Sequence, residues 1–112
     1  MKLFVDDERA APKGWELART VTEAIRILAN NQVDIVSLDH DIIYHDEKGN
    51  SHLAKETFEP VIHFIKLMPK KLRPHTVIIH TANPPAGIRM MQELKGVVPN
   101  LIRDWEFGHH KE

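Results

Sequence analysis

The 112-residue chain contains no cysteine, so neither a disulfide frame nor a thiolate metal site can form. No charge of one sign dominates. Fifteen Lys and Arg against sixteen Asp and Glu leave a net charge of -1 with His neutral, too weak a field to argue for duplex nucleic acid or a membrane surface. No apolar run approaches the length of a membrane span. The opening Met1-Lys2-Leu3-Phe4-Val5 reaches acidic residues too soon for a signal peptide. The cytoplasm is therefore the default compartment. Neither an internal repeat nor a linker is visible. The length suits one domain with a modest core, and 42% hydrophobic with 28% charged residues is ordinary for a globular chain.

Histidine, by contrast, is abundant at eight residues. Some are candidate ligands or proton carriers, and most belong on the surface. The stretch that organises the rest is Val33 to Asp41, V-D-I-V-S-L-D-H-D. Val33, Ile35, Val36 and Leu38 suit a short strand buried on both faces, as in a parallel sheet. The run stops abruptly in Asp39, His40 and Asp41, and open α/β sheets place their ligand site at such carboxyl ends.

Taken in order, Lys2 to Val5 reads as a strand ending in Asp6-Asp7-Glu8-Arg9, and Ala10 to Gly14 as a loop. Trp15 to Val21 reads as a second strand. Thr22 can cap a helix that ends at Asn30-Asn31-Gln32, before the central strand. Ile42 to His52 reads as a mostly polar loop. Leu53 to Met68 carries a helical stripe of Leu53, Phe58, Val61, Ile62, Ile65 and Met68, with Pro60 either kinking the helix or marking its true first turn. Pro69 to Pro74 is a basic connector. Thr76 to Ile79 is a buried strand ending in His80-Thr81-Ala82-Asn83. Pro84-Pro85 opens a helix that Gly96 closes, and Leu101-Ile102 forms a last short strand before Arg103. Residues 108–112 read as a disordered tail beyond a domain of 1–107. Strands alternating with helices imply an α/β fold with a parallel, doubly wound sheet, which gathers all the polar strand ends on one edge.

Asp6, Asp7 and Asp39 at one edge would make a hard oxygen site for Mg²⁺ or Mn²⁺, because like charges so close are costly without a cation. Asp41 can join that site. Asp39 is either a phosphate-accepting nucleophile or a metal ligand only, with His40 or His80 carrying protons. Alone, His40 would be an ordinary surface residue and His80 a core-edge imidazole bonded to backbone. Thr81 can donate to a phosphoryl oxygen or bond its own backbone. Asn83 can orient phosphate oxygens, although Asn-Pro is also a helix-start signal. Arg9 and Arg103 are candidate phosphate clamps. His45, Asp46 and His52 belong to a solvated loop that could close over substrate.

These clusters resemble the receiver domain of two-component response regulators. Asp6-Asp7 match its acidic pair, Asp39 its phosphoacceptor and Thr81-Ala82 its Thr-Ala step, while Arg103 stands where that family has Lys. The resemblance implies a flavodoxin-like five-stranded sheet in the order 2-1-3-4-5. The interval from Asp7 to Asp39 is too short for the first helix, and the chain ends too soon for the last. The segments D-D-E-R, S-L-D-H-D and H-T-A-N-P, with Gly87 following, further resemble a receiver-derived family predicted to process cyclic phosphates. That resemblance implies a metal-dependent phosphoesterase acting on a phosphorylated small molecule or an RNA end. The rivals are a signalling domain phosphorylated on Asp39 and a sensor that binds a phosphorylated ligand without turnover. Loss of the first and last helices should leave one sheet face bare. A homodimer through that face is expected, with Trp15, Trp105 and the Ala10–Gly14 loop as the alternative cover.

Overall fold

The computed structural model describes residues 1–108, so of the tail expected at 108–112 only Gly108 is described and the rest lies outside the described residues. Five parallel strands form the main sheet: β1 (Lys2–Val5), β2 (Glu16–Ala18), β3 (Ile35–Leu38), β6 (Thr76–Ile79) and β7 (Asn100–Arg103), in the order β2-β1-β3-β6-β7. This is the receiver-like order expected from sequence, with an extra hairpin inserted after β3. That hairpin pairs β4 (Asp41–His45) with β5 (Ser51–Thr57) antiparallel.

Among the described residues, the three α-helices lie on one face of the sheet. Helix α1 (Val21–Asn30) contributes Ala24 and Leu28, α2 (Glu59–Leu67) contributes Val61, Ile62 and Ile65, and α3 (Pro84–Leu94) contributes Met90 and Leu94. They pack on Leu3, Val5, Val36, Leu38, Val77 and Ile79, the residues of one parity along the strands. Right-handed crossovers explain the asymmetry. The steps β2 to β3, β3 to β6 and β6 to β7 all run across the sheet in one sense and put their helices on one side. The step β1 to β2 runs the other way, so its connection must pass over the opposite face, and there the chain has only residues 6–15.

That opposite face carries Phe4, Ser37, Ile78 and Ile102, which are in register across β1, β3, β6 and β7. Its cover is local. Phe4 is fully buried beneath Trp15, edge-on at 6.4 Å, and Phe107 at 6.4 Å, and the last two rings meet at 5.2 Å. Gly108, at φ +85°, is pressed so closely on Phe4 that a Cβ there would overlap the ring. Ile102 and Trp105 stay exposed. Trp15 therefore covers as expected, with Phe107 rather than Trp105 as its partner ring.

Three local expectations are corrected. Thr20, not Thr22, caps α1: its side chain accepts from the Glu23 N–H at 3.1 Å, while Glu23 Oε1 accepts from Arg19 N–H at 3.1 Å. Thr20-Val21-Thr22-Glu23 has the capping-box spacing, but Glu23 reaches back one residue further, to the N–H of Arg19 before the cap. The helix read from Leu53 begins only at Glu59, because Pro60 is tolerated in a first turn and not in a helix interior. Leu53 lies instead in β5, opposite Ile43, and is exposed. The polar loop at Ile42–His52 is the hairpin, whose turn is built by Asp46 Oδ1 accepting from the N–H groups of Lys48 and Asn50 (both 2.9 Å), with Gly49 at φ +82°. Among the described residues, no helix is long and apolar enough to cross a membrane.

Candidate functional site

The strand register brings three motifs into one row. Val5, Leu38 and Ile79 lie side by side, and the ladder runs one residue further. The Asp39 N–H donates to Val5 O at 3.0 Å and the His80 N–H to Leu38 O at 3.1 Å, while the Asp6 N–H bonds Ala18 O on the other side. Asp6, Asp39 and His80 thus stand abreast at the carboxyl ends of three adjacent strands. They share parity with Phe4, Ser37 and Ile78, so their side chains rise from the helix-free face. Each offers a ligand atom within 4.8 Å of the other two, the one such group of three among the described residues.

Above this row lies a cavity of about 440 Å³. Asp6, Asp7 and Asp39 form its acidic floor, Arg9, Thr81, Asp41 and Asn83 its polar walls, and Ile43, Ala82 and Pro84 its apolar rim. Asp6 is buried and heavily bonded. Its Oδ1 accepts from the N–H groups of Glu8 (2.8 Å) and Arg9 (2.9 Å), and its Oδ2 accepts from His80 Nε2 at 2.9 Å. Two oxygens offer about four acceptor sites, and beside the remaining one on Oδ2 stands Arg9 Nε at 3.9 Å. Burial works to raise the Asp6 carboxyl. The His80 bond, the two backbone N–H groups and the charge of the imidazole outweigh it and hold the group at about 2.

Asp39 behaves oppositely. Burial, followed by the negative charge of Asp6, pushes its carboxyl up to about 7, against the pull of the His40 N–H (2.8 Å to Oδ1) and Arg9. Burial also raises Asp7, although its Oδ2 accepts from the Ile43 N–H at 2.6 Å. Three carboxyl groups share this cavity, and burial raises two of them, Asp39 and Asp7; such crowding suits a hard divalent cation. Asp6 and Asp39 lie within ligand distance of each other and Asp7 lines the same cavity, so these are the residues that could hold it.

His80 and His40 are placed differently from the proton carriers expected of them. The His80 ring has no exposed surface, stacks on Phe4 at 4.7 Å and is bonded through both nitrogens, with Ser37 Oγ 2.6 Å from Nδ1. It has no path to a leaving group and acts on Asp6 from beneath. His40 is buried beside the cavity. Its Nδ1 meets Asp41 Oδ1 at 2.8 Å, and its Nε2 faces Arg89 at 3.4 Å and Glu59 at 3.6 Å. Asp41 therefore receives His40 on one side and the Asn83 amide on the other, at 3.3 and 3.4 Å, and stands on the wall rather than within the Asp6–Asp39 cluster.

Asn83 also caps α3, its Oδ1 accepting from the Ala86 N–H at 3.3 Å, and Thr81 Oγ1 accepts from the Asn83 N–H at 3.2 Å. Arg9 reaches the cavity but spends Nη1 on the carbonyls of Trp105 (3.1 Å) and Phe107 (3.3 Å). Arg103, expected as a clamp, is not part of the cavity lining. Its strand parity turns it to the helix-bearing side, where the guanidinium lies against Gly87 with Nη1 buried and unpartnered. The hairpin residues His45, Asp46 and His52 are tied down by contacts of His52 with Asp46 (2.8 Å) and His45 with Glu8 (3.4 Å).

Sequence reading missed Ser37, Arg19 and the Glu59–Arg89 pair behind His40. Ser37 had a signal: it is the one polar residue in the β3 run, two positions before Asp39 and hence on its face. Arg19 braces the Asp6–Arg9 turn through Nη1, which donates to Arg9 O at 2.8 Å and Asp6 O at 3.3 Å. It carried no comparable mark.

The sequence profile of the family described as Cyclic-phosphate processing Receiver domain matches residues 1–96. That span runs from β1 through α3 and includes every cavity residue named above, and stops short of Arg103. No curated protein and no solved structure matches the chain.

Proposed function

The chain belongs to the family of cyclic-phosphate processing receiver domains, and from that premise we propose that it is a metal-dependent phosphoesterase acting on cyclic phosphates of nucleotides or RNA ends. The observation that carries the reading is the packing of Asp6 and Asp39 beneath a cavity whose walls are a second set of polar groups, Asp41, Asn83, Thr81 and Arg9. A phosphodiester needs both charge neutralisation and proton handling, and the two sets divide that work.

Asp6, Asp39 and Asp7 would hold Mg²⁺ or Mn²⁺, which supplies a Lewis acid that neutralises charge on phosphoryl oxygens. Asp41 faces the cavity with its carboxylate oriented by His40 and Asn83, which suits it to take a proton from water. The water oxygen bonds to phosphorus and the bond from phosphorus to one ribose oxygen breaks. The water proton goes to Asp41, and the ribose oxygen takes one from solvent across the open cavity. His40 stabilises the charge on Asp41 from behind. Arg9 and Thr81 contact phosphoryl oxygens, and Ile43, Ala82 and Pro84 offer an apolar rim to the organic part of the substrate. Ile102 and Trp105, exposed at the edge of the helix-free face, are where a second copy docks.

The test is incubation with 2′,3′-cyclic AMP and Mn²⁺ or Mg²⁺, alongside acetyl phosphate as a small phosphodonor. Conversion to a nucleoside monophosphate, lost in both Asp39→Ala and Asp41→Ala, is the expected result. An acyl phosphate on Asp39 without turnover would move the assignment to a signalling receiver. Saturable nucleotide binding without turnover would make the protein a sensor.

A further inference from the structure

The three family motifs are joined by hydrogen bonds below the cavity, out of reach of any substrate. Asp6 comes from D-D-E-R, Ser37 from S-L-D-H-D and His80 from H-T-A-N-P. Ser37 Oγ lies 2.6 Å from His80 Nδ1, and His80 Nε2 lies 2.9 Å from Asp6 Oδ2. All three side chains are buried. The ring starts on β6 and reaches Asp6 on β1, so it must cross the intervening strand β3. It can do so because the β3 residue on that face, in register between Phe4 and Ile78, is a serine. Phe4 lies parallel to the ring at 4.7 Å and fixes its plane.

Proton inventory then sets the direction of the bond to Asp6. The Asp6 carboxylate only accepts, so Nε2 carries the hydrogen. A hydroxyl both donates and accepts, so Ser37 satisfies Nδ1 whether the ring is neutral or charged. Asp6 fixes the hydrogen on Nε2, and Ser37, 2.6 Å from Nδ1, fixes the position of the ring that delivers it. With Oδ1 filled by the N–H groups of Glu8 and Arg9, the acceptor position still open on Asp6 has a fixed direction.

We infer that Ser37 is a positioning residue of the site: acting through the His80 ring, it holds Asp6 oriented for a divalent cation, a role that rests on the metal-dependent reading above. Groups that orient a metal ligand in this way affect metal affinity by about 10- to 100-fold when removed.

The experiment measures two properties of the full chain, for wild type, Ser37→Ala and Ser37→Thr. The first is the protonation of the His80 ring from its ¹⁵N correlations without metal. The second is Mn²⁺ and Mg²⁺ affinity by calorimetry. Wild type should carry a hydrogen on Nε2. Ser37→Ala should shift the ring ¹⁵N resonances and bind metal about 10- to 100-fold more weakly, and Ser37→Thr, which keeps the hydroxyl, should recover both. Should Ser37→Ala fail to fold, the wild-type ring signals and the Ser37→Thr affinity decide. A wild-type ring without a hydrogen on Nε2 overturns the inference, as does a folded Ser37→Ala with unchanged resonances and affinity. A ¹⁴N coupling to bound Mn²⁺ in pulsed EPR also overturns it, because His80 would then be a ligand itself. If wild type binds neither metal, the metal reading fails; ring resonances that still depend on Ser37 then identify a purely structural bond, and the positioning role falls with it.

Discussion

Replacing Asp39 by Asn should make the metal-free protein more stable, and the gain should depend on pH in a defined way. In the folded chain this carboxyl is pushed from 3.8 up to about 7 by burial and by Asp6. The sign follows from proton linkage. Below the unfolded value both states hold the proton and the group contributes nothing. As pH rises from there towards 7 the unfolded chain releases its proton while the fold retains it, so stability falls. Above 7 both states are ionised and the loss is complete. A shift of about three units corresponds to about 4 kcal/mol, which partial solvation of the side chain reduces to about 2–4 kcal/mol. In a domain of this size that is a rise in Tm of about 10 °C. Asn keeps the shape and cannot ionise. Thermal or urea melts in the presence of a chelator should therefore show Asp39→Asn matching wild type at about pH 4 and exceeding it by about 2–4 kcal/mol at about pH 8. Millimolar Mg²⁺ should close the gap by raising wild type alone. A variant that is less stable than wild type at the higher pH, or a difference that does not change with pH, would refute the reasoning.

The other predictions concern parts of the molecule away from Asp39. Thr20→Ala should cost about 1 kcal/mol by loss of the α1 cap, whereas Thr22→Ala should stay within about 0.5 kcal/mol; urea titrations in which the order is reversed would reject the capping assignment. Gly87→Ala should cost about 1–3 kcal/mol, because its methyl group meets the Arg103 guanidinium. The cost should shrink in an Arg103→Ala background, and strict additivity in the double-mutant cycle would show that the two do not compete for space. Sedimentation at increasing concentration should reveal self-association, weakened by Trp105→Ser; a wild-type protein that stays monomeric throughout would remove the helix-free side as a docking surface.

The sheet was legible because its strands are short apolar runs that each end in charge, and a parallel sheet collects such ends without further information. Asp6, Asp39, Thr81 and Asn83 could be assigned to one edge for that reason. What the sequence hid was direction. His80 follows Val77-Ile78-Ile79 without a break, and nothing local tells whether its ring turns up into a cavity or across the strand beneath it. The answer depends on the size of residue 37, which is distant in sequence. Arg103 was misjudged for a related cause: its parity along β7 puts it with Leu101 on the side of α3, and one residue either way would have reversed that. The hairpin was masked by composition. Polar residues dominate Tyr44 to His52, and neither Asp41–His45 nor Ser51–Thr57 alternates in burial, so no period of two reveals the pairing. Pro60 was the available clue that the helix could not begin as early as Leu53.

The β4–β5 ribbon is joined to the body at its root, where the Ile43 N–H meets Asp7 and the Phe58 N–H meets His40 O at 2.9 Å, and at the far end of β4, where His45 meets Glu8. Its tip at Glu47 and Lys48 is solvent-facing. The molecule therefore has a natural graft point: a peptide tag or reporter spliced between those two residues would replace the turn held by Asp46 and leave the five-stranded sheet and the carboxylates beneath it in their native frame. It would let the protein be immobilised or labelled with the carboxylate-lined cavity still open to solution.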